Sequence, residues 1–222
     1  MKNQITVPLI KAVLGSLIII VLIRCQSHRA NNNDITNTKL SASKPCEGEL
    51  ENGKKTGSWT CFFANGKVST ITHFKQGIKQ GEFIAYREDG TKDVQNYWLD
   101  GMMHGLLSSF DEKEKLILTT ELKMGKHHGY TREYSTNGIL VYECNYNENF
   151  RHGPCRGWYE FGQPKFNSQY NKGTLEGEYW DWYLNGQVRS KGIIDVTSKK
   201  ETWEYYNEQG TRITKKHPLL GS

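Results

Sequence analysis

The chain has 222 residues, and its 29 basic and 24 acidic side chains leave a formal charge of +5. Lys2, Lys11 and Arg24 precede Cys25 with no acid among them, so the remainder is nearly balanced at 26 bases to 24 acids. With no arginine or lysine stripe on any one strand position, this excludes the electrostatic footprint of a nucleic-acid binder. Twenty-two glycines, five prolines and 18 tyrosines and tryptophans suit many short strands closed by glycine turns, and predict an all-β fold.

Residues 1–25 read as an export signal or membrane anchor. Ala12 to Ile23 is an unbroken run of apolar and small residues. It is shorter than the about 20 residues a membrane span needs and matches the apolar region of a signal peptide. Leu22-Ile23-Arg24-Cys25 resembles a bacterial lipoprotein lipobox, with Leu in place at −3 and Arg departing from the usual small residue at −1. The resemblance implies lipidation at Cys25. An uncleaved anchor and a cut near Ala30 are the alternatives. Residues 26–45 are polar and without period, and read as a flexible linker that holds the folded part off a membrane.

From Gly57 onward the chain repeats every 24 residues. Position zero holds Gly57, Gly81, Gly105, Gly129, Gly153, Gly177 and Glu201. Position +2 holds Trp59, Phe83, Leu107, Thr131, Cys155, Tyr179 and Trp203. Position +5 is aromatic in all seven units: Phe62, Tyr86, Phe110, Tyr134, Trp158, Trp182 and Tyr206. Position +9 is Gly66, Gly90, Glu114, Gly138, Gly162, Gly186 and Gly210, and +17 is Phe74, Trp98, Leu122, Tyr146, Tyr170 and Ile194. Cys46 to Gly53 is the second half of a leading unit, with Leu50 at +17.

Each unit predicts two strands, from about +1 to +6 and from about +11 to +18. Asn65-Gly66, Asp89-Gly90, Asn137-Gly138 and Asn185-Gly186 predict tight hairpin turns between them. A second turn around +20 leads to the next unit, so about seven repeats over 46–214 make an elongated antiparallel meander of about fourteen strands. Val94, Asn96 and Trp98 alternate onto one face, as do Leu140, Tyr142, Cys144 and Tyr146. Positions +2 and +5 have opposite parity. Either aromatics cover both sheet faces or each first strand bends. Both stripes read as packing between repeats, with a solvent-facing platform as the alternative. Glu114 predicts a changed turn in the third unit. Pro154 and Pro164 predict distorted pairing in the fifth. The period is lost over 215–222, which reads as a tail.

Gly81-Glu-Phe-Ile-Ala-Tyr86-Arg-Glu-Asp-Gly90 and Gly177-Glu-Tyr-Trp-Asp-Trp182-Tyr-Leu-Asn-Gly186 resemble MORN repeats of the variant found in bacteria. The resemblance covers Cys46 to about Arg212. Proteins of this kind are labelled YwqK-like antitoxins or repeat lipoproteins, and MORN arrays elsewhere resemble membrane-associated or protein-binding scaffolds. The resemblance carries over no catalytic residue.

No nucleophile elbow, zinc-protease helix motif, P-loop or dinucleotide fingerprint occurs in the sequence. His104, His128 and His152 recur one repeat apart. They predict exposed turn residues in a ladder, read as polar turn positions or as a zinc or acidic-surface site. Glu82 and Glu178 read as solvent-facing acids beside the turn. Cys46, Cys61, Cys144 and Cys155 make an even set. Cys46 and Cys61, and Cys144 and Cys155, satisfy one hairpin register with the chain reversing between +20 and +21. Two disulfides follow, with four free thiols as the alternative. The expectation is a non-enzymatic scaffold with no cofactor and no metal. It is exported, held at a membrane by its N-terminus, and binds a protein or a cell-envelope component. The alternatives are a cytoplasmic antitoxin, a glycan or cell-wall binder, and a purely structural lipoprotein.

Overall fold

The computed structural model describes residues 46–214. The apolar run, Cys25 and the linker lie outside the described residues, as does the tail at 215–222. The strands are β1 Glu47–Glu51, β2 Lys54–Phe62, β3 Val68–Lys75, β4 Ile78–Tyr86, β5 Lys92–Leu99, β6 Met102–Phe110, β7 Leu116–Lys123 and β8 Lys126–Tyr134. They continue as β9 Leu140–Asn147, β10 Phe150–Trp158, β11 Pro164–Asn171, β12 Thr174–Trp182, β13 Val188–Asp195, β14 Lys200–Tyr206 and β15 Arg212–Ile213. All fifteen lie in one open sheet in sequence order, antiparallel throughout. Substantial contacts join only consecutive strands, so each hairpin depends on its neighbours for buried surface. Among the described residues no helix occurs, and so none is long and apolar enough to cross a membrane.

Two turn types alternate, and they differ from the sequence reading in where the tight turn falls. Between units the chain reverses at +19 and +20, not between +20 and +21. Both central residues have positive φ, as in Gln76 (50°) and Gly77 (84°) or Glu148 (50°) and Asn149 (71°). This is the type I′ geometry that matches strand twist. At +8 and +9 only the glycine has positive φ, as at Gly66 (82°). Gly66 N–H donates to Phe63 O at 2.9 Å and Phe63 N–H to Lys67 O at 2.8 Å. The result is a three-residue loop closed by a left-handed residue. Its Asn or Asp acts through the side chain: Asn65 Oδ1 accepts from Lys67 N–H at 2.9 Å and Asp89 Oδ1 from Thr91 N–H at 2.8 Å. The third unit keeps this turn unchanged, against expectation. Glu114 takes φ 58°, and Glu114 N–H donates to Asp111 O at 3.0 Å.

Register is set by the zero-position glycine. After each tight turn the pairing slips by two residues on the first strand, as between Thr72↔Phe83 and Phe74↔Lys79 or between Cys155↔Cys144 and Arg151↔Tyr146. Gly81 (φ 105°) and Gly153 (φ 87°) lie in those bulges, where a residue with a side chain is strained. The seventh unit is the internal control. Glu201 stands at zero, and β13 pairs with β14 without a slip from Ser190↔Tyr205 to Asp195↔Lys200. A four-residue loop there replaces the tight turn and bulge and reaches the same register. A second slip, of one residue at +12, separates Ala85↔Val94 from Tyr86↔Lys92. It places Leu140, the partner of Tyr134, on the face opposite Tyr142, the partner of Glu133. The expected single stripe from Leu140 to Tyr146 is broken for this reason. Pro154 falls in a slip and Pro164 opens β11, the places a sheet tolerates proline.

The question of faces resolves to both. Tyr179 contacts Trp203 at 5.4 Å, both at +2, while Trp182 at +5 stacks on Trp180 at 6.2 Å. One face is packed. Across its centre runs a ladder of opposed residues in which +2 side chains alternate with position +15: Gly48, Thr72, Asn96, Thr120, Cys144, Ser168 and Gly192. These +15 residues are all small or short, so the large +2 side chains can lie over them. Leu107, Thr131, Cys144, Cys155 and Ser168 are fully buried there, and Thr120 and Thr131 share a hydrogen bond at 2.6 Å. At the two ends Trp59 covers Gly48 and Trp203 covers Gly192, each close enough to fill the space of a Cβ. The exception in this row is Asn96. It is 3% exposed, and both polar atoms of its amide lack a hydrogen-bond partner, as does the Trp98 indole N–H.

Candidate functional site

The seven +5 aromatics are half-buried on the face opposite the packed one. Each pairs with +11 of its own unit, as Phe62 with Val68 and Trp182 with Val188. Lysines lie over several rings of both faces: Lys92 over Phe110 at 5.4 Å, Lys55 over Trp59 at 4.2 Å and Lys79 over Trp98 at 4.2 Å. The rings and the lysine stems therefore cover one another, as expected for packing between repeats.

Hydrogen bonds one repeat apart tie the turns into two rows along the sheet's edges. On one edge Gly77 N–H donates to Lys55 O at 2.7 Å, Gly101 N–H to Lys79 O at 3.0 Å and Gly125 N–H to Met103 O at 2.7 Å. On the other, Tyr159 Oη donates to Trp182 O at 2.8 Å and Tyr183 Oη to Tyr206 O at 3.0 Å. Both rows present large apolar side chains to solvent. The first carries Ile78, Met102 and Phe150, and the second Leu184 and Phe161, which is 79% exposed.

The opposite face changes character along the array. In the middle units it is an ionic ladder: Glu143 binds Arg132 at 2.7 Å and reaches Arg156 at 3.9 Å, and Arg132 also reaches Glu121 at 3.9 Å. The hydrogen bond to Glu143 holds the Arg132 guanidinium above its ordinary range. Toward the C-terminal end charge gives way to aromatics. Trp180 and Trp182 stack with their planes 14° apart, and Trp180 and Tyr206 flank an open groove of about 250 Å³ with Gln187, Val188, Lys191 and Gly210. Lys191 Nζ lies 5.5 Å from the Trp180 ring and 5.9 Å from the Tyr206 ring, and pairs with Glu204 at 3.1 Å. Hydrogen bonding to Glu204, then to Tyr206, raises the Lys191 ammonium above its usual range. A hydrogen bond from Tyr206, then one from Lys191, lowers the Glu204 carboxyl below its usual range. The groove is thus lined by two aromatic rings, an ammonium and a side-chain amide, and the ammonium is neutralised by its pairing with Glu204.

The cysteines and histidines fall as follows. Cys144 and Cys155 are directly opposed, and Cys46 is brought opposite Cys61 by the β1–β2 pairing. Both pairs stand at disulfide distance, with Cα atoms 4.0 Å apart. His104 and His128 lie within β6 and β8, not in turns, and are half-buried. Two strands separate each histidine from the next, about 10 Å, which is too far for a shared metal. Among the described residues no cluster of three metal-ligating side chains occurs. Glu82 is also half-buried and accepts from Gln95 Nε2 at 2.6 Å, whereas Glu178 is exposed.

Residues 55–76 and 128–148 match the family model described as MORN repeat variant. The matches support a MORN-repeat protein. Each matched MORN segment is one hairpin unit. It starts one or two residues before the zero-position glycine and ends at +19, the first residue of the tight turn. No curated protein matches the chain.

Two features escaped the sequence reading. The +15 row of small residues carries no hydrophobic signal, and only the alignment of seven repeat units exposes it. The groove turns on Trp180 at +3, where the other units carry Thr60, Ile84, Ser108, Arg132, Arg156 and Glu204. That single departure from the repeat was the available sign.

Proposed function

We propose that this chain is a non-enzymatic binding scaffold, exported and held at a membrane by its N-terminal segment, whose partner is a protein or another component of the cell envelope. The observation that carries the reading is the pair of apolar edge rows. Phe150, Phe161 and Leu184 are 58%, 79% and 52% exposed on a rigid sheet whose turns are hydrogen-bonded to one another. Large apolar side chains held out on a regular frame suit an extended interface more than a small substrate. MORN repeats are commonly scaffold or binding repeats, which agrees. The cysteine pairs at disulfide distance support an oxidising compartment, and with it export. Lipidation of Cys25 is the route we propose for anchoring.

The test is crosslinking in the native host, with competition by a soluble form beginning at Cys46. A saturable partner lost on Phe161→Ser supports the scaffold. Recovery of no partner after sensitive crosslinking points to a purely structural protein. Turnover of a substrate, lost on changing one polar residue in a folded protein, overturns the non-enzymatic reading. Fatty-acid labelling that persists in Cys25→Ala overturns lipidation at Cys25, and no labelling of the native chain overturns the lipid anchor.

A further inference from the structure

We infer that the groove between Trp180 and Tyr206 is a binding subsite for one neutral pyranose unit of a glycan. This deepens the envelope arm of the reading above and rests on it only for the source of the sugar.

Position argues first. The +3 residue is aromatic in the sixth unit alone. Packing of the repeat does not need a ring there, since the other six units form the same hairpins without one. Trp180 adds to Trp182 a second, nearly parallel ring, 6.2 Å away with planes 14° apart. Tyr206 from the next unit supplies the opposite wall.

The chemistry of the walls selects the ligand. An aromatic face is electron-rich and attracts weakly positive C–H groups. A pyranose presents such C–H groups on its faces and hydroxyls around its rim. Hydroxyls both donate and accept, so they match a site lined by an ammonium (Lys191) and a side-chain amide (Gln187). Lys191 and Glu204 neutralise each other at 3.1 Å, and Arg212 lies a further 3.9 Å from Glu204. Glu178 accepts the Trp180 indole N–H at 3.4 Å. The groove therefore carries no excess positive charge to hold a phosphate, which disfavours a nucleotide despite the stacking surface. At about 250 Å³ it lies below the range of drug-sized pockets and suits one ring at a time, with neighbouring sugars running along the sheet.

The test is an NMR titration of the full chain, in detergent micelles if it sediments with membranes, following the indole N–H signals of its six tryptophans. The probes are a β-1,4-linked N-acetylglucosamine tetramer, cellotetraose and maltotetraose, with adenosine monophosphate as the stacking anion. The expected result is saturable movement of the Trp180 and Trp182 signals with at least one sugar, while Trp59 and Trp98 stay still. Trp180→Ala should weaken that binding about tenfold or more, and Glu51→Gln, on β1 at the other end of the sheet, should leave it unchanged. If Trp180→Ala does not fold, Lys191→Met provides the second variant and should also weaken binding. No movement with any of the three sugars up to their solubility overturns the assignment, whatever crosslinking recovers. So does movement with adenosine monophosphate alone, or binding that moves other tryptophans instead.

Discussion

Gly192→Ala tests the central ladder most directly. Gly192 does not have positive φ, so the backbone alone would accept alanine. The obstacle is the cover above it. An added Cβ would stand 2.7 Å from Trp203 Cε3 and 2.8 Å from the Thr202 carbonyl oxygen. The indole must move away, and Thr202 O is backbone held within β14. Overpacking of this kind costs about 1–3 kcal/mol. Displacing Trp203 also breaks its contact with Tyr179, at 5.4 Å, worth about 0.5–1.5 kcal/mol. The expected loss is about 3 kcal/mol, confined to the C-terminal units because repeat arrays couple only to neighbours. Urea unfolding followed by amide exchange should show β12 to β14 opening early while β4 to β8 keep their protection. In a Trp203→Ala background the cost of alanine should shrink to the share owed to Thr202 O. A loss under about 0.5 kcal/mol in the native background would refute the idea that small +15 residues exist to seat the +2 rings.

Four further outcomes are expected. Asn96→Val removes an amide whose polar atoms lack partners at 3% exposure and should raise stability by about 1–3 kcal/mol; an unchanged or lower urea midpoint counts against it. Gly81→Ala forces a side chain onto φ 105° with His73 Cβ at 3.2 Å, and should cost about 1–3 kcal/mol by urea melt. Reduction of the Cys46–Cys61 and Cys144–Cys155 pairs, whose separations are 15 and 11 residues, should lower stability by about 3 kcal/mol for each pair. Peptide mapping that finds four free thiols in the protein from its native host rejects the bridges. Burial lowers the His127 pKa from its ordinary 6.5, so below that value the unfolded chain takes up the proton more readily. Its contribution should be full above pH 6.5 and fall as the pH drops toward the folded-state value, and His127→Asn should flatten that slope.

A 24-residue period with aromatic +5 and glycine at zero and +9 was enough to place the hairpins, because each unit repeats the same local problem with the same residues. The Cys144–Cys155 juxtaposition was legible for the same reason. Its derivation used a reversal one residue late, and the bulge at Gly153 accounts for the difference. What a linear pattern cannot carry is the conformation of single residues. Asn65-Gly66 reads as a tight turn, yet its Asn is spent on a side-chain bond and only the glycine turns left-handed. Glu114 reads as a changed turn, yet it takes φ 58° and keeps the same turn as the glycines. Side-chain direction depends on every slip in the ladder, so the bulge at +12 decided which face Leu140 occupies. The groove at Trp180 needed three strands aligned: Trp180, Lys191 and Tyr206 stand 11 and 15 positions apart in sequence and become neighbours because pairing sets β12, β13 and β14 side by side.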